Sequence, residues 1–159
     1  MNDYKLMKAT PSLTFIEAIK KCFANYANFK GRARRSEFWW WYLFTCVVNF
    51  ILYIPIWILM SKKNALSGNI DLATANAQDP TTMIIIFYII LGIVYLALLL
   101  PSLSVMVRRF HDVGKSGNLM WLFLLFGIGV PVCLILCIPD GDRVPNKYGS
   151  SPKFTEFTV

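Results

Sequence analysis

The sequence predicts an all-α membrane protein, in which an N-terminal amphipathic helix precedes three transmembrane helices in a single domain, 1–159. Hydrophobic residues make up 56% of the chain and charged residues only 16%, whereas soluble domains carry about 25% charged residues. The mean hydropathy is +0.51. This apolar content exceeds what one soluble core of this length needs, so lipid is the expected solvent.

The three predicted transmembrane helices are the apolar runs 38–60, 83–107 and 119–138, and none of them contains Asp, Glu, Lys or Arg. Each meets the length of about 20 residues that a spanning helix needs. A helix satisfies its own backbone hydrogen bonds in hydrocarbon, and the alternation of barrel strands is absent. The runs are apolar on all sides, which disfavours a soluble bundle.

The third run is interrupted by Gly127, Gly129 and Pro131. Proline removes a backbone donor and clashes with the preceding turn, so we expect a kinked span. A re-entrant hairpin is the alternative, and it would return the tail, 139–159, to the cytoplasmic side.

Segment 11–27 predicts the amphipathic helix, because Thr14 and Glu17 have capping-box spacing and the apolar residues share one broad face. Two interpretations stay open. The helix lies in the membrane interface with Lys20 and Lys21 toward the headgroups, or it docks onto the protein's own spans.

Orientation follows from the cations beside the spans. With three crossings, the N-terminal arm and second loop carry 11 Lys and Arg residues, against 5 in the first loop and tail. We therefore expect a cytoplasmic N terminus and a periplasmic C terminus. No secretory signal is expected, and the polar first loop, 61–82, is interpreted as a solvated connector.

Two polar clusters flank the spans. The first holds Arg32, Arg34, Arg35 and Glu37, and the second holds Arg108, Arg109, His111, Asp112 and Lys115. An acid as close to lipid as Glu37 should pair with a cation such as Arg108 or Arg109. We therefore expect one composite polar patch on the cytoplasmic side.

The second cluster allows two kinds of chemistry. If the second helix continues past Val107, one face presents charges that could bind a phosphate, a lipid headgroup or a protein. His111, the only histidine, could also transfer protons together with Asp112. The alternative is plain membrane anchoring, with Asp112 paired to a neighbouring arginine.

No cofactor or metal site is predicted. The four cysteines lack the ligand pattern of a zinc site, and Gly114-Lys115-Ser116 lacks the earlier glycine of a phosphate loop, because Arg109 occupies that position. The tail around Asn146, Tyr148 and Gly149 is interpreted as an ordered turn motif that packs against the helices.

Three motifs, in this order, resemble a known family. They are Phe29-Lys30-Gly31-Arg32-Ala33-Arg34-Arg35-Ser36-Glu37-Phe38-Trp39, Arg108-Arg109-Phe110-His111-Asp112-Val113-Gly114-Lys115-Ser116-Gly117, and Asn146-Lys147-Tyr148-Gly149 with Pro152. The chain is similar in this to domain of unknown function 805, which comprises small bacterial inner-membrane proteins. The resemblance implies a location in the bacterial inner membrane and assigns no reaction.

We accordingly expect a noncatalytic membrane module that binds anionic lipid or a partner protein, without nucleic acid, and that can form a homo-oligomer. The expected contacts are Arg32, Arg34, Arg35, Arg108, Arg109 and Lys115, oriented by Glu37 and Asp112, with His111 beside them. The alternative is a small membrane enzyme or transport component that uses His111 and Asp112. The absence of charge within the spans disfavours that alternative.

Overall fold

The computed structural model describes residues 7–67, 79–124 and 129–156. Its elements, in chain order, are β1 (Met7–Ala9), α1 (Phe15–Ala24), α2 (Arg35–Ser67), α3 (Thr81–Asp112), a 3₁₀ helix (Gly117–Leu124), α4 (Gly129–Leu136) and β2 (Phe154–Glu156). The predicted helical character is confirmed, and β1 with β2 adds one short ladder that the sequence did not predict.

The chain divides into two compact units. The first, which we call the terminal unit, comprises Met1–Leu43 and Leu100–Val159. The second, the loop unit, is Phe44–Leu99. The terminal unit contains both polar clusters and the tail.

Two of the described helices are long and apolar enough to cross a membrane. They are α2, with 33 residues, and α3, with 32 residues, and they contain the predicted runs 38–60 and 83–107. Few of their residues are buried within the protein, which is the exposure expected of helices surrounded by lipid. Both continue beyond the apolar runs, so the polar residues at their ends are helical too.

The loop unit satisfies its polar groups locally. Asn49 Nδ2 donates to the Thr45 carbonyl oxygen at 2.8 Å, one turn back in α2, and Lys63 Nζ donates to Thr81 Oγ1 at 2.7 Å. Half of the predicted connector, 61–82, lies outside the described residues.

Helix α1 has the predicted capping box. The Thr14 side chain accepts a hydrogen bond from the Glu17 backbone N–H, and the Glu17 side chain accepts one from the Thr14 backbone N–H. The helix docks through its small residues, because Ala18 and Cys22 are fully buried. Ile16 and Phe23 remain 63% and 44% exposed. The helix thus packs on its own unit and also keeps an apolar face outward, and its position in the membrane interface stays a prediction.

The start of α2 forms the surface on which α1 docks. The Phe15 ring meets Trp40 edge to face at 5.7 Å, and Phe23 meets Trp41 in the same way at 5.2 Å. Trp40 Nε1 also donates to the Leu13 carbonyl oxygen at 3.0 Å. Trp40 and Trp41 therefore hold α1 against the first turns of α2.

The expectation of one kinked span over 119–138 is wrong for the described part of this run. The 3₁₀ helix and α4 have only eight residues each and pack against one another. Cys133 Sγ lies 4.0 Å from the Leu119 carbonyl oxygen, whereas a continuous helix would separate these residues by about 21 Å along its axis. Gly127 lies outside the described residues, and Pro131 occupies the first turn of α4, where proline is tolerated.

The structure does not confirm the expected periplasmic C terminus, because the N-terminal arm and the tail pair with each other. Strand β1 pairs antiparallel with β2, with Lys8 opposite Thr155, and Thr10 N donates to the Lys153 carbonyl oxygen at 2.8 Å. A bilayer core of about 30 Å cannot separate strands that share hydrogen bonds. The arrangement agrees with the re-entrant alternative.

Candidate functional site

The two polar clusters meet in the terminal unit, as the composite-patch hypothesis predicted. Ala33 N donates to the Arg108 carbonyl oxygen at 2.9 Å, which brings the segment before α2 onto the last turns of α3. Six charged side chains join there in what we call the buried network: Lys21, Arg32, Glu37, Arg108, Arg109 and Asp112.

Glu37 forms the first centre of the buried network. Its carboxylate is fully buried and accepts from Arg108 Nη1 at 2.7 Å, which is one of the predicted pairings. Lys21 Nζ lies 2.9 Å from the second carboxylate oxygen, in an ion pair whose angles fall outside hydrogen-bond geometry. A buried acid held by two cations costs less to desolvate than an unpaired one.

Asp112 forms the second centre. Arg32 Nε donates to Oδ1 at 2.9 Å, and Arg109 Nη1 donates to Oδ2. The three side chains are between 0% and 6% exposed. The structure thus confirms that Asp112 pairs with a neighbouring arginine, and it adds Arg32 from the first cluster.

Arg32 and Arg109 also bind the segment of the chain that follows α4. Arg32 Nη1 donates to the carbonyl oxygens of Val144 and Gly149 at 3.0 and 3.3 Å, and Nη2 donates to that of Asp142. Asp142 N donates in turn to the Asp112 carbonyl oxygen at 2.8 Å. Arg32 therefore organises the tail as well as pairing with Asp112.

Arg109 binds two carbonyl groups just after the end of α4. Its Nε donates to the Cys137 carbonyl oxygen at 3.2 Å and its Nη2 donates to that of Pro139. A cation at this position satisfies carbonyls that the end of α4 leaves free and opposes the negative end of the helix dipole.

His111 is held in place by three contacts. Its Nδ1 lies 3.1 Å from the Gly31 carbonyl oxygen, which requires Nδ1 to donate. The ring stacks on Tyr148 with centroids 3.8 Å apart and planes at 8°. Asn146 Nδ2 donates to the His111 carbonyl oxygen at 2.9 Å. His111 thus connects the first cluster to the tail motif.

The tail motif is ordered against the terminal unit, as predicted. Asn146 N and the Gly149 carbonyl oxygen are 3.1 Å apart, and Gly149 N returns a bond of 2.9 Å to Asn146. Gly149 adopts φ = 124°, a conformation that favours glycine. The turn thereby presents Asn146 and Tyr148 to His111.

Three of the predicted lipid contacts are not available at the surface. Arg32, Arg108 and Arg109 are 7%, 3% and 0% exposed, so their guanidinium groups do not reach a headgroup in this structure. The sequence ranked them as surface cations because charged residues are seldom buried without a partner. Their partners become visible only when the two clusters meet.

The remaining predicted cations differ in accessibility. Arg34 is half-buried and donates to Thr10 Oγ1 at 3.0 Å and to the Thr10 and Pro11 carbonyl oxygens at 2.9 and 2.5 Å. Arg35 and Lys115 are exposed. Helix α3 ends at Asp112, so Lys115 does not continue the face that carries Arg108 and Asp112.

Asp140 is a site residue that the sequence motifs did not indicate. Its carboxylate lies 2.7 Å from Lys153 Nζ and 3.7 Å from Arg35 Nη1. The hydrogen bond from Lys153, supported by the neighbouring cations, lowers the pKa of Asp140. No motif signalled this role, because Arg35 and Lys153 are distant in sequence.

Ser104 and Lys21 were also missed as structural contacts. Ser104 Oγ is fully buried, 2.9 Å from the Asn25 carbonyl oxygen and 2.7 Å from that of Asn28. It ties α3 to the turn after α1. Lys21 was predicted to face headgroups and instead pairs with Glu37.

Cys22 lies beside the Glu37 centre and is chemically protected. Burial raises the pKa of its thiol to about 12, with the Glu37 charge acting in the same direction. Within the described ranges, no three His, Cys, Asp or Glu side chains are grouped so that they could hold a metal ion.

Comparison with known proteins agrees with the motifs. The sequence profile described as "Protein of unknown function (DUF805)" matches residues 26–150. Inner membrane protein YhaI of Escherichia coli (strain K12) is 32% identical over 130 residues, which cover 82% of this chain and 90% of YhaI. Inner membrane protein YhaH of the same strain is 29% identical over 133 residues, 84% of this chain and 93% of YhaH.

No solved structure matches the chain. The profile nevertheless covers both polar clusters and most of the tail motif, and the relatives align over most of their own lengths. The chain belongs to the DUF805 family.

Proposed function

We propose that this protein is a noncatalytic module of the bacterial inner membrane that binds anionic lipid at the cytoplasmic surface through the terminal unit. The observation that carries the proposal is the exposure of α1. Ile16 and Phe23 stay outward although the helix is docked, and exposed Lys20 follows Ile16 by one helical turn. An apolar face beside cations suits the boundary between acyl chains and anionic headgroups.

The proposed topology has two spans, α2 and α3, and a re-entrant hairpin formed by the 3₁₀ helix and α4. Both ends of the hairpin lie at the end of α3: a Cβ on Gly117 would be 2.8 Å from Val107 Cγ1, and Arg109 binds the Cys137 carbonyl. Fourteen of the 16 Lys and Arg residues then share one side, which the positive-inside rule makes cytoplasmic. The inner-membrane names of YhaI and YhaH support this location.

We assign the cations of the site two roles, according to whether they are buried or exposed. Arg32, Arg108 and Arg109 act as the scaffold that holds α1, the hairpin and the tail together. The proposed headgroup contacts are four of the exposed cations of the terminal unit, Lys20, Lys30, Arg35 and Lys115.

The enzyme or transport alternative is not favoured by the positions of its two residues. The Asp112 carboxylate is occupied by two arginines, and the Nδ1 atom of His111 is directed to the Gly31 carbonyl. A proton-transfer pair would need the imidazole and a carboxylate within hydrogen-bond reach of a substrate.

The test uses protein reconstituted into bilayers of phosphatidylcholine and phosphatidylglycerol, with brominated lipids that quench tryptophan fluorescence. We expect the protein to associate several-fold more strongly with phosphatidylglycerol at low salt, with a preference that falls as salt is added. The triple variant Lys20→Gln, Lys30→Gln, Lys115→Gln should lose part of the preference, while the matched Lys→Arg triple should retain it.

A preference that is absent, or that salt does not affect, would contradict the proposal. If this protein shows no lipid preference but copurifies with a second protein in a fixed ratio, the terminal unit would instead be a protein-docking surface.

A further inference from the structure

Where α2 begins, the tail crosses it and leaves a small cleft. Its lining includes three cations, one serine and one exposed acid: Arg34, Arg35, Lys153, Ser151 and Asp140. The cleft has a volume of about 10 Å³, which is room for one water. Any larger group must therefore sit at the mouth, between the exposed side chains.

The charges around the mouth are unbalanced. Among the described side chains, Asp140 alone pairs with both Arg35 and Lys153, at 3.7 and 2.7 Å, so one carboxylate is shared by two cations. The distance to Arg35 exceeds the length of a charge-assisted hydrogen bond. Asp112 also borders the cleft, but two buried arginines already neutralise it.

The cleft also lies at the height of the headgroups in the proposed topology. Arg35 is the first residue of α2, and Trp40 and Tyr42 are 37% and 38% exposed just beyond it, as interfacial aromatic residues are. The positive end of a 33-residue helix adds to the attraction for an anion at this position.

We propose that this cleft binds one phosphate group, that of an anionic lipid headgroup, between Arg35 and Lys153. The inference rests on the proposed function and adds a single defined site to it. The phosphate oxygens would replace the Asp140 carboxylate as the acceptor for both cations, and Ser151 would supply a hydroxyl at the edge. Asp140 is thus a resident competitor that the lipid displaces.

The experiment counts phosphatidylglycerol molecules retained by the detergent-purified protein in native mass spectrometry. The double variant Arg35→Gln, Lys153→Gln should bind the tightest lipid about tenfold more weakly, since each charge-assisted contact contributes substantially to affinity. The matched double Lys20→Gln, Lys30→Gln removes the same charge outside the cleft and should retain that lipid. Asp140→Asn should bind it more tightly, because the competitor is gone.

Equal losses of lipid affinity in the two double variants would overturn the site. The proposed function would still stand if the bilayer assay showed a salt-dependent lipid preference. Weaker binding by Asp140→Asn would overturn it independently of whether the double variant folds. Displacement of the lipid by low-millimolar inorganic phosphate, or equal retention of phosphatidylcholine, would overturn the assignment to an anionic lipid headgroup.

Discussion

At the scale of single residues, the buried arginines of the terminal unit are neutralised by two buried acids. Glu37 and Asp112 each hold two cations. The pairing of Glu37 was predictable from its place beside the tryptophans, and the structure identifies Arg108 as its partner. Asp112 was predictable only as a partner of an adjacent arginine, because Arg32 is 80 residues away in sequence.

We predict that Asp112→Ala destabilises the protein by about 3–5 kcal/mol, because it leaves two buried guanidinium groups without a counter-charge. Thermal unfolding of the detergent-purified protein measures the change. The matched control, Asp140→Ala, removes a carboxylate that is 55% exposed and should cost about 1 kcal/mol or less. Similar losses in the two variants would show that the buried network is not the main support of the terminal unit.

A second residue-scale prediction concerns Cys22, whose pKa of about 12 leaves about one thiol in ten thousand ionised at pH 8. Since the thiolate is the reactive form and the side chain is buried, maleimide should modify Cys22 far more slowly in the folded protein than in protein unfolded by detergent. Peptide mass spectrometry after timed labelling measures both rates. Comparable rates would mean that α1 detaches readily from its unit.

At the scale of elements, local signals set the boundaries and long-range contacts set the arrangement. The capping box of α1 was predicted from the sequence and is present in the structure. Gly114 adopts φ = 71°, and the bond from Lys115 N to the Phe110 carbonyl oxygen at 2.9 Å closes the end of α3. The hairpin within 119–138 was predicted only as an alternative, because Gly and Pro in an apolar run are compatible with a kinked helix as well as with a chain reversal.

We predict that Gly114→Ala destabilises the protein by about 1–2 kcal/mol, because a side chain disfavours positive φ. Its Cβ would also lie 3.1 Å from Asp142 Oδ2, which belongs to the tail. Gly92→Ala is the control, since nothing lies within 4 Å of its Cβ position and alanine favours a helix. Unfolding temperatures that fall equally in the two variants would contradict the role given to Gly114.

At the scale of the whole molecule, the decisive feature is that both ends of the chain belong to one unit. Three apolar runs in the sequence suggested three crossings and a periplasmic tail. The β1 and β2 pairing, together with the contacts of Arg32 and Arg109 to the tail, brings the tail and the N-terminal arm together, which supports the proposed two-span topology.

We predict that alkaline phosphatase, which is active only in the periplasm, shows no activity when fused after Val159. The same enzyme inserted into the loop between α2 and α3 should be active, because two spans place that loop outside. A cytoplasm-active reporter at the two positions should give the opposite pattern. Phosphatase activity at Val159 would restore the three-span topology.

The sequence by itself determined the class of protein, two of its long apolar helices, the cap of α1 and the existence of two polar clusters that belong together. These follow from composition, run length and spacing, which are local properties of the chain. Only the tertiary structure decided that Arg32, Arg108 and Arg109 are buried, that 119–138 folds back in its described part, and that the tail returns to the N-terminal arm. Those outcomes depend on ion pairs and strand pairing between distant residues, and no local pattern specifies which distant groups will meet.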